Sequence, residues 1–194
     1  MKEAIIIGAG RLGKGFIGET IANSPAWNMT FIDADPVVIS NLREAGSYHV
    51  TVHRFDRIEE HIISDFEAYT WRQEAVIDKI NQADLIMFVI YPEKIQEAII
   101  ALMDGLNARK EKNPHQNLSI IFLTNKNHMM QAIQEQFSRM LTDTDYIWFN
   151  KHVVLCDSII RRSTDAESNR SLNIRTTAVL SLSLIHISEP TRLQ

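Results

Sequence analysis

With 194 residues, 45% hydrophobic and 23% charged, the chain is sized for about one globular domain plus a remainder. A formal net charge of −4 argues against nucleic acid or an anionic membrane surface as partner, and no apolar run is long enough to span a bilayer. The single cysteine, Cys156, excludes an internal disulfide and fits a reducing cytoplasm, the expected location, since Met1-Lys2-Glu3 leaves no room for a signal peptide.

Ala4-Ile5-Ile6-Ile7 is a short apolar run that leads into Gly8-Ala9-Gly10-Arg11-Leu12-Gly13, and a helix-compatible stretch follows from about Leu12 to Ala22. Strand, glycines and helix in that order are the context in which G-x-G-x-x-G marks a dinucleotide site. Gly8 permits the tight turn, Gly10 lets the backbone approach a pyrophosphate, and Gly13 lets helix and strand pack closely. The helix N-terminus offers free N–H groups and partial positive charge to phosphates. The residues expected to bind cofactor are therefore Gly8, Ala9, Gly10, Arg11, Leu12 and Gly13. A second strand, Met29 to Ile32, ends at Asp33, 20 residues after Gly13. An acidic residue there accepts from the adenosine ribose and repels a 2′-phosphate, so NAD is the expected cofactor rather than NADP.

Pro36 suits the first turn of a helix from Val37 to Ala45, which stops at Gly46. Tyr48 to Phe55 alternates and is β-branched; with Ile62-Ile63 it predicts a small antiparallel insertion. A helix is expected over Glu74 to Ala83, then a fully buried strand over Leu85 to Ile90, and after Pro92 a helix from Glu93 to Ala108. Arg109 to Pro114 reads as a charged surface loop, Leu118 to Leu123 as a buried strand, and Met129 to Leu141 as a helix. Trp148 to Asp157 is a further apolar segment. Alternating strands and helices predict an α/β fold, a Rossmann-type doubly wound and mostly parallel sheet.

The stretch Gly8 to Gly18, with Gly15-Phe16-Ile17-Gly18 following the fingerprint, resembles the opening of the polyol-specific long-chain dehydrogenases, the mannitol dehydrogenase family. Ser47-Tyr48-His49-Val50, Leu123-Thr124-Asn125-Lys126-Asn127 and His152-Val153-Val154-Leu155-Cys156-Asp157-Ser158 resemble three later family segments in the same order. The resemblance runs from about Lys2 to Arg162. It implies an NAD-dependent oxidoreductase acting on CH–OH, interconverting mannitol 1-phosphate and fructose 6-phosphate, with a small sugar phosphate or polyol as partner. By the same resemblance Asn127 would hold the reacting oxygen as a hydrogen-bond donor. Three positions depart from the family: Lys126 replaces an acidic residue, Arg161 an aspartate, and Tyr91 a frequent glycine. Another polyol dehydrogenase, a hexuronate reductase and a non-catalytic NAD-sensing module remain as alternatives.

His128 reads as a cap or surface residue more readily than as a substrate contact. His49, His53 and His61 lack metal-ligand spacing, so no metal is expected. The family's helical second domain carries a Lys-x-x-x-x-Asn-x-x-x-His motif with lysine as general acid and base. That motif is not found here, and no lysine follows Arg175. The end of the chain looks like the translation of a sequencing adaptor. The expected division is a dinucleotide-binding domain over 1–180 and a non-native tail over 181–194, in a fragment that behaves as a monomer.

Overall fold

A computed structural model describes residues 1–123, 129–159 and 162–177, together with the backbone of 183–187. The first half runs β1 (Lys2–Ile7), a π-helical segment (Gly13–Gly18) continuing into α1 (Glu19–Ala22), β2 (Trp27–Asp33), α2 (Pro36–Ala45), β3 (Tyr48–His53), β4 (Ile58–Ile63) and β5 (Phe66–Thr70). The second half runs α3 (Ala75–Gln82), β6 (Leu85–Phe88), α4 (Ile95–Lys112), β7 (Leu118–Leu123), α5 (Met130–Met140), α6 (Asp143–His152), β8 (Val153–Ile159), β9 (Thr164–Asp165), β10 (Asn173–Thr177) and β11 (Ser183–Ile187).

The main sheet has the order β11-β8-β7-β6-β1-β2-β5, with six strands parallel and β11 antiparallel to β8. Its central strands are continuous apolar runs because both faces are covered. Successive side chains of β1 go to opposite faces. Ile5 and Ile7 join Ile86, Phe88, Ile120 and Phe122 in a core under α3, α4 and α5. Ala4 and Ile6 join Phe16, Phe31, Tyr48 and Ile174 on the other side. That second core is closed by a four-stranded sheet of order β4-β3-β10-β9, in which β3 and β4 are antiparallel and β10 runs parallel to β3. Phe31, Tyr48 and Phe66 pack as an aromatic trio between the sheets, with ring centroids 5.6–6.0 Å apart.

The doubly wound sheet and the β3–β4 insertion follow the sequence reading. Four details do not. Phe66–Thr70 is a strand that the sequence left without one; it is a five-residue edge strand carrying Glu67, so it has no apolar run to announce it. The apolar segment Trp148 to Asp157 divides between the end of α6 and β8. The strand expected to reach Ile90 ends at Phe88. Arg109 lies inside α4, fully buried, and not in a surface loop. Its guanidinium donates to the carbonyls of Ile80 (3.3 Å), Asn81 (2.8 Å), Gln116 (3.2 Å) and Asn117 (2.9 Å). A planar fork of donors lets it tie α3 and the turn before β7 to α4. Arg109→Met is expected to cost about 3 kcal/mol, because it leaves buried carbonyls without a donor. A lowered urea midpoint with an unchanged slope checks this.

Ser183–Ile187 lies inside the segment expected to be a non-native tail and pairs with β8. Lys126, Asn127, His128 and Arg161 lie outside the described residues. No described helix is long and apolar enough to cross a membrane.

Candidate dinucleotide site

β1 delivers the chain to a turn that only glycine can make. Gly8 has φ +104°, its N–H donates to the Ile32 carbonyl at 2.8 Å, and a Cβ on it would lie 2.4 Å from the Val89 oxygen. Five residues on, a Cβ on Gly13 would lie 1.8 Å from the Gly8 oxygen. The helix therefore starts in direct contact with the turn that precedes it. Gly10 differs: φ is not constrained there, and the nearest atom to a Cβ would be Asn169 Oδ1 at 3.3 Å. Gly10 lines the cavity with the Asn169 side chain beside it.

The helix begins without a side-chain cap. Gly10 O accepts from Lys14 N at 3.0 Å, while the N–H groups of Gly10, Arg11 and Leu12 find no acceptor among the described residues. Unsatisfied N–H groups at the head of a helix form an anion cradle. Asp33 stands at the end of β2 beside it. Its Oδ2 accepts from Ala9 N at 2.7 Å and its Oδ1 from Asp35 N at 2.9 Å. The sequence did not reveal this second duty: the carboxylate fixes the glycine turn as well as facing the cavity. Each oxygen keeps a further lone pair for a ligand hydroxyl.

A cavity of about 580 Å³ runs along the carboxyl ends of the strands, lined by Gly10, Arg11, Asp33, Trp71, Tyr91 and Asn169 among others. This is the switch point at which open α/β sheets bind ligands. The structure brings Gly8, Gly10, Arg11, Leu12 and Asp33 together on one wall. Ala9 is fully buried behind them, and Gly13 is buried at the head of the helix. Tyr91, which departs from the family pattern, is exposed at the mouth of the cavity.

Two residues near the cavity were missed from sequence. Lys14 is 1% exposed, and its Nζ donates to the Asn169 carbonyl at 2.8 Å. Burial pushes its ammonium down to about 8, with the charge of Asp33 opposing the shift. The one available signal was its place among residues otherwise small or apolar, Gly13 to Gly18, where a charge must be buried. Asn169 had no signal at all. Away from the cavity, Glu19 accepts from the buried Arg162 at 2.9 Å and lies 3.0 Å from Nδ1 of the half-buried His61, a cluster that ties the second sheet to the helix. Among the described residues no group of histidine, cysteine and acidic side chains could hold a metal.

The chain is 26% identical over 174 residues to the mannitol-1-phosphate 5-dehydrogenase of Lactococcus lactis subsp. lactis (strain IL1403), covering 89% of this chain and 45% of that one. It is 29% identical over 163 residues to the enzyme of the same name from Lacticaseibacillus paracasei (strain ATCC 334), covering 84% and 42%. The chain thus spans less than half the length of these relatives. An octopine dehydrogenase structure in complex with NADH and agmatine superposes with a TM-score of 0.65 at 10% identity, covering 94% of this chain and 40% of that one. A D-mandelate dehydrogenase structure with NADH and anilino(oxo)acetate gives 0.55 at 13% identity, covering 89% and 44%. At these identities the two structures show the shared Rossmann dehydrogenase fold. Residues 2–179 match the Rossmann domain of the mannitol dehydrogenases, and the chain belongs to that family.

Proposed function

We propose that the chain is the NAD-binding part of an oxidoreductase that interconverts mannitol 1-phosphate and fructose 6-phosphate. The observation that carries the reading is the cradle itself. Three N–H groups without acceptors among the described residues stand at a helix head, beside a glycine that lines the cavity and a carboxylate at the end of β2. These features fit a dinucleotide. The N–H groups of Gly10, Arg11 and Leu12 would hold the diphosphate, with Gly8, Ala9 and Gly13 shaping the loop. Asp33 would accept from the adenosine ribose, and its charge would repel the 2′-phosphate of NADP. When bound, the nicotinamide supplies hydride exchange with the substrate carbon. Asn127 would donate to the reacting oxygen. The choice of substrate follows the two curated relatives named above.

The proton acceptor for the hydroxyl is not accounted for in this chain. The family resemblance assigns it to a lysine in a helical second domain, and no lysine follows Arg175. General acid–base catalysis is worth roughly 10²–10⁴-fold. The 194-residue chain is therefore expected to bind NADH without oxidising it in the presence of fructose 6-phosphate. A version extended by its natural downstream sequence should turn over. The loss of NADH absorbance with each version checks this. Robust turnover by the 194-residue chain would place the base among the residues already present.

A further inference from the structure

We propose that Asn169 is a diphosphate-binding residue of the dinucleotide site, held against the glycine loop by the buried Lys14 ammonium; this rests on the cofactor reading above. Residues 166–172 connect β9 to β10 of the second sheet and cross over the glycine loop as a strap. Three side-chain contacts fasten the strap to the elements that frame the cavity. Lys14 Nζ donates to the Asn169 carbonyl at 2.8 Å, Arg170 Nε pairs with Asp35 Oδ2 at 2.9 Å, and Asn41 Nδ2 donates to the Arg170 carbonyl at 3.3 Å. The strap at Asn169 and Arg170 is thus tied to the glycine-loop helix, to the β2–α2 corner and to α2.

The carboxamide of Asn169 is left over from this fastening. It makes no hydrogen bond among the described residues, it lines the cavity, and its Oδ1 would lie 3.3 Å from a Cβ on Gly10. An amide has two N–H donors, and the carboxamide that carries them lies against Gly10, whose N–H and that of Arg11 find no acceptor among the described residues. The glycine loop would thereby gain a fourth donor group from a residue more than 150 positions away in the sequence. The chemistry that fits it is an oxyanion, here a diphosphate oxygen.

Lys14 points the same way. It is 1% exposed and has no carboxylate within ion-pair distance among the described residues, and the charge of Asp33 offsets only part of the cost of burying it. A methionine would fill the same slot without that cost. What the ammonium does is hold the Asn169 carbonyl, and it adds positive charge close to where a diphosphate would sit. Lys14 is therefore a positioning residue that acts through Asn169.

The test is a fluorescence titration of NADH into the 194-residue chain, Asn169→Ala, Asn169→Asp, Lys14→Met and the Lys14→Met/Asn169→Ala double variant. Asn169→Ala removes one hydrogen bond to a charged group and is expected to weaken binding about tenfold with an unchanged melting temperature. Asn169→Asp keeps the shape but adds charge repulsion, and should bind more weakly still. The double variant is expected to lose clearly less than the product of the two single losses, because both act through one contact. Unimpaired binding by Asn169→Ala or Asn169→Asp, or fully multiplicative losses, would overturn the assignment alone. Absence of NADH binding by the unmodified chain would overturn both the assignment and the cofactor reading beneath it.

Discussion

Gly13→Ala is expected to remove a large part of the stability of the domain, although it adds only one methyl group. The new carbon would lie 1.8 Å from the Gly8 oxygen and 3.0 Å from its carbonyl carbon, so backbone meets backbone. Neither partner can yield. Gly8 is fixed by its positive φ, by its bond to the Ile32 carbonyl and by the Val89 oxygen behind it. Overpacking a core usually costs about 1–3 kcal/mol, when flexible side chains share the strain. Here none can, so a cost above about 3 kcal/mol is expected, out of a typical total of roughly 5–15 kcal/mol. Urea unfolding followed by circular dichroism checks this. A midpoint equal to that of the unmodified chain would mean that the helix does not start against the turn.

Gly10→Val should do the reverse, leaving the fold and removing the ligand. The nearest protein atom to its Cβ is the end of the exposed Asn169 side chain, at 3.3 Å, which can move aside. The branched side chain would instead occupy the space needed by a diphosphate approaching the backbone. A loss of NADH affinity of at least about a hundredfold is expected, since the contacts with a charged group disappear together. Calorimetric titration alongside circular dichroism separates the two effects. Retained affinity in a folded variant would show that the glycines serve the turn alone.

What the sequence disclosed was local. The run Ala4 to Ile7, the glycines after it and Asp33 at the end of the next apolar strand are neighbours in the chain, and their spacing carries the meaning. The β3–β4 pair was legible for the same reason. The second sheet was not, because β10 pairs with β3 across some 120 residues and neither strand specifies its partner. The Gly15–Gly18 extension was recognisable only as a resemblance. Its physical purpose emerges from packing: Cβ atoms there would strike Ile174 and Tyr48 of the second sheet, at 2.3 and 2.2 Å. Arg109 was misread because a run of Arg and Lys is usually solvated, and the carbonyls that capture it come from separate parts of the chain. Asp33 ends β2 as its spacing predicted, but its bond to Ala9 N depends on two loops meeting in space.

The most direct test of the central claim, an NAD-binding Rossmann domain, is calorimetric titration of the 194-residue chain with NADH and, separately, NADPH. The expected result is one NADH bound per chain and markedly weaker NADPH binding. The difference should narrow in Asp33→Ala, which also loses NADH affinity because Ala9 N and Asp35 N no longer have their acceptor. Equal affinity of the unmodified chain for the two cofactors would contradict the role given to Asp33, and binding of neither would contradict the dinucleotide site itself.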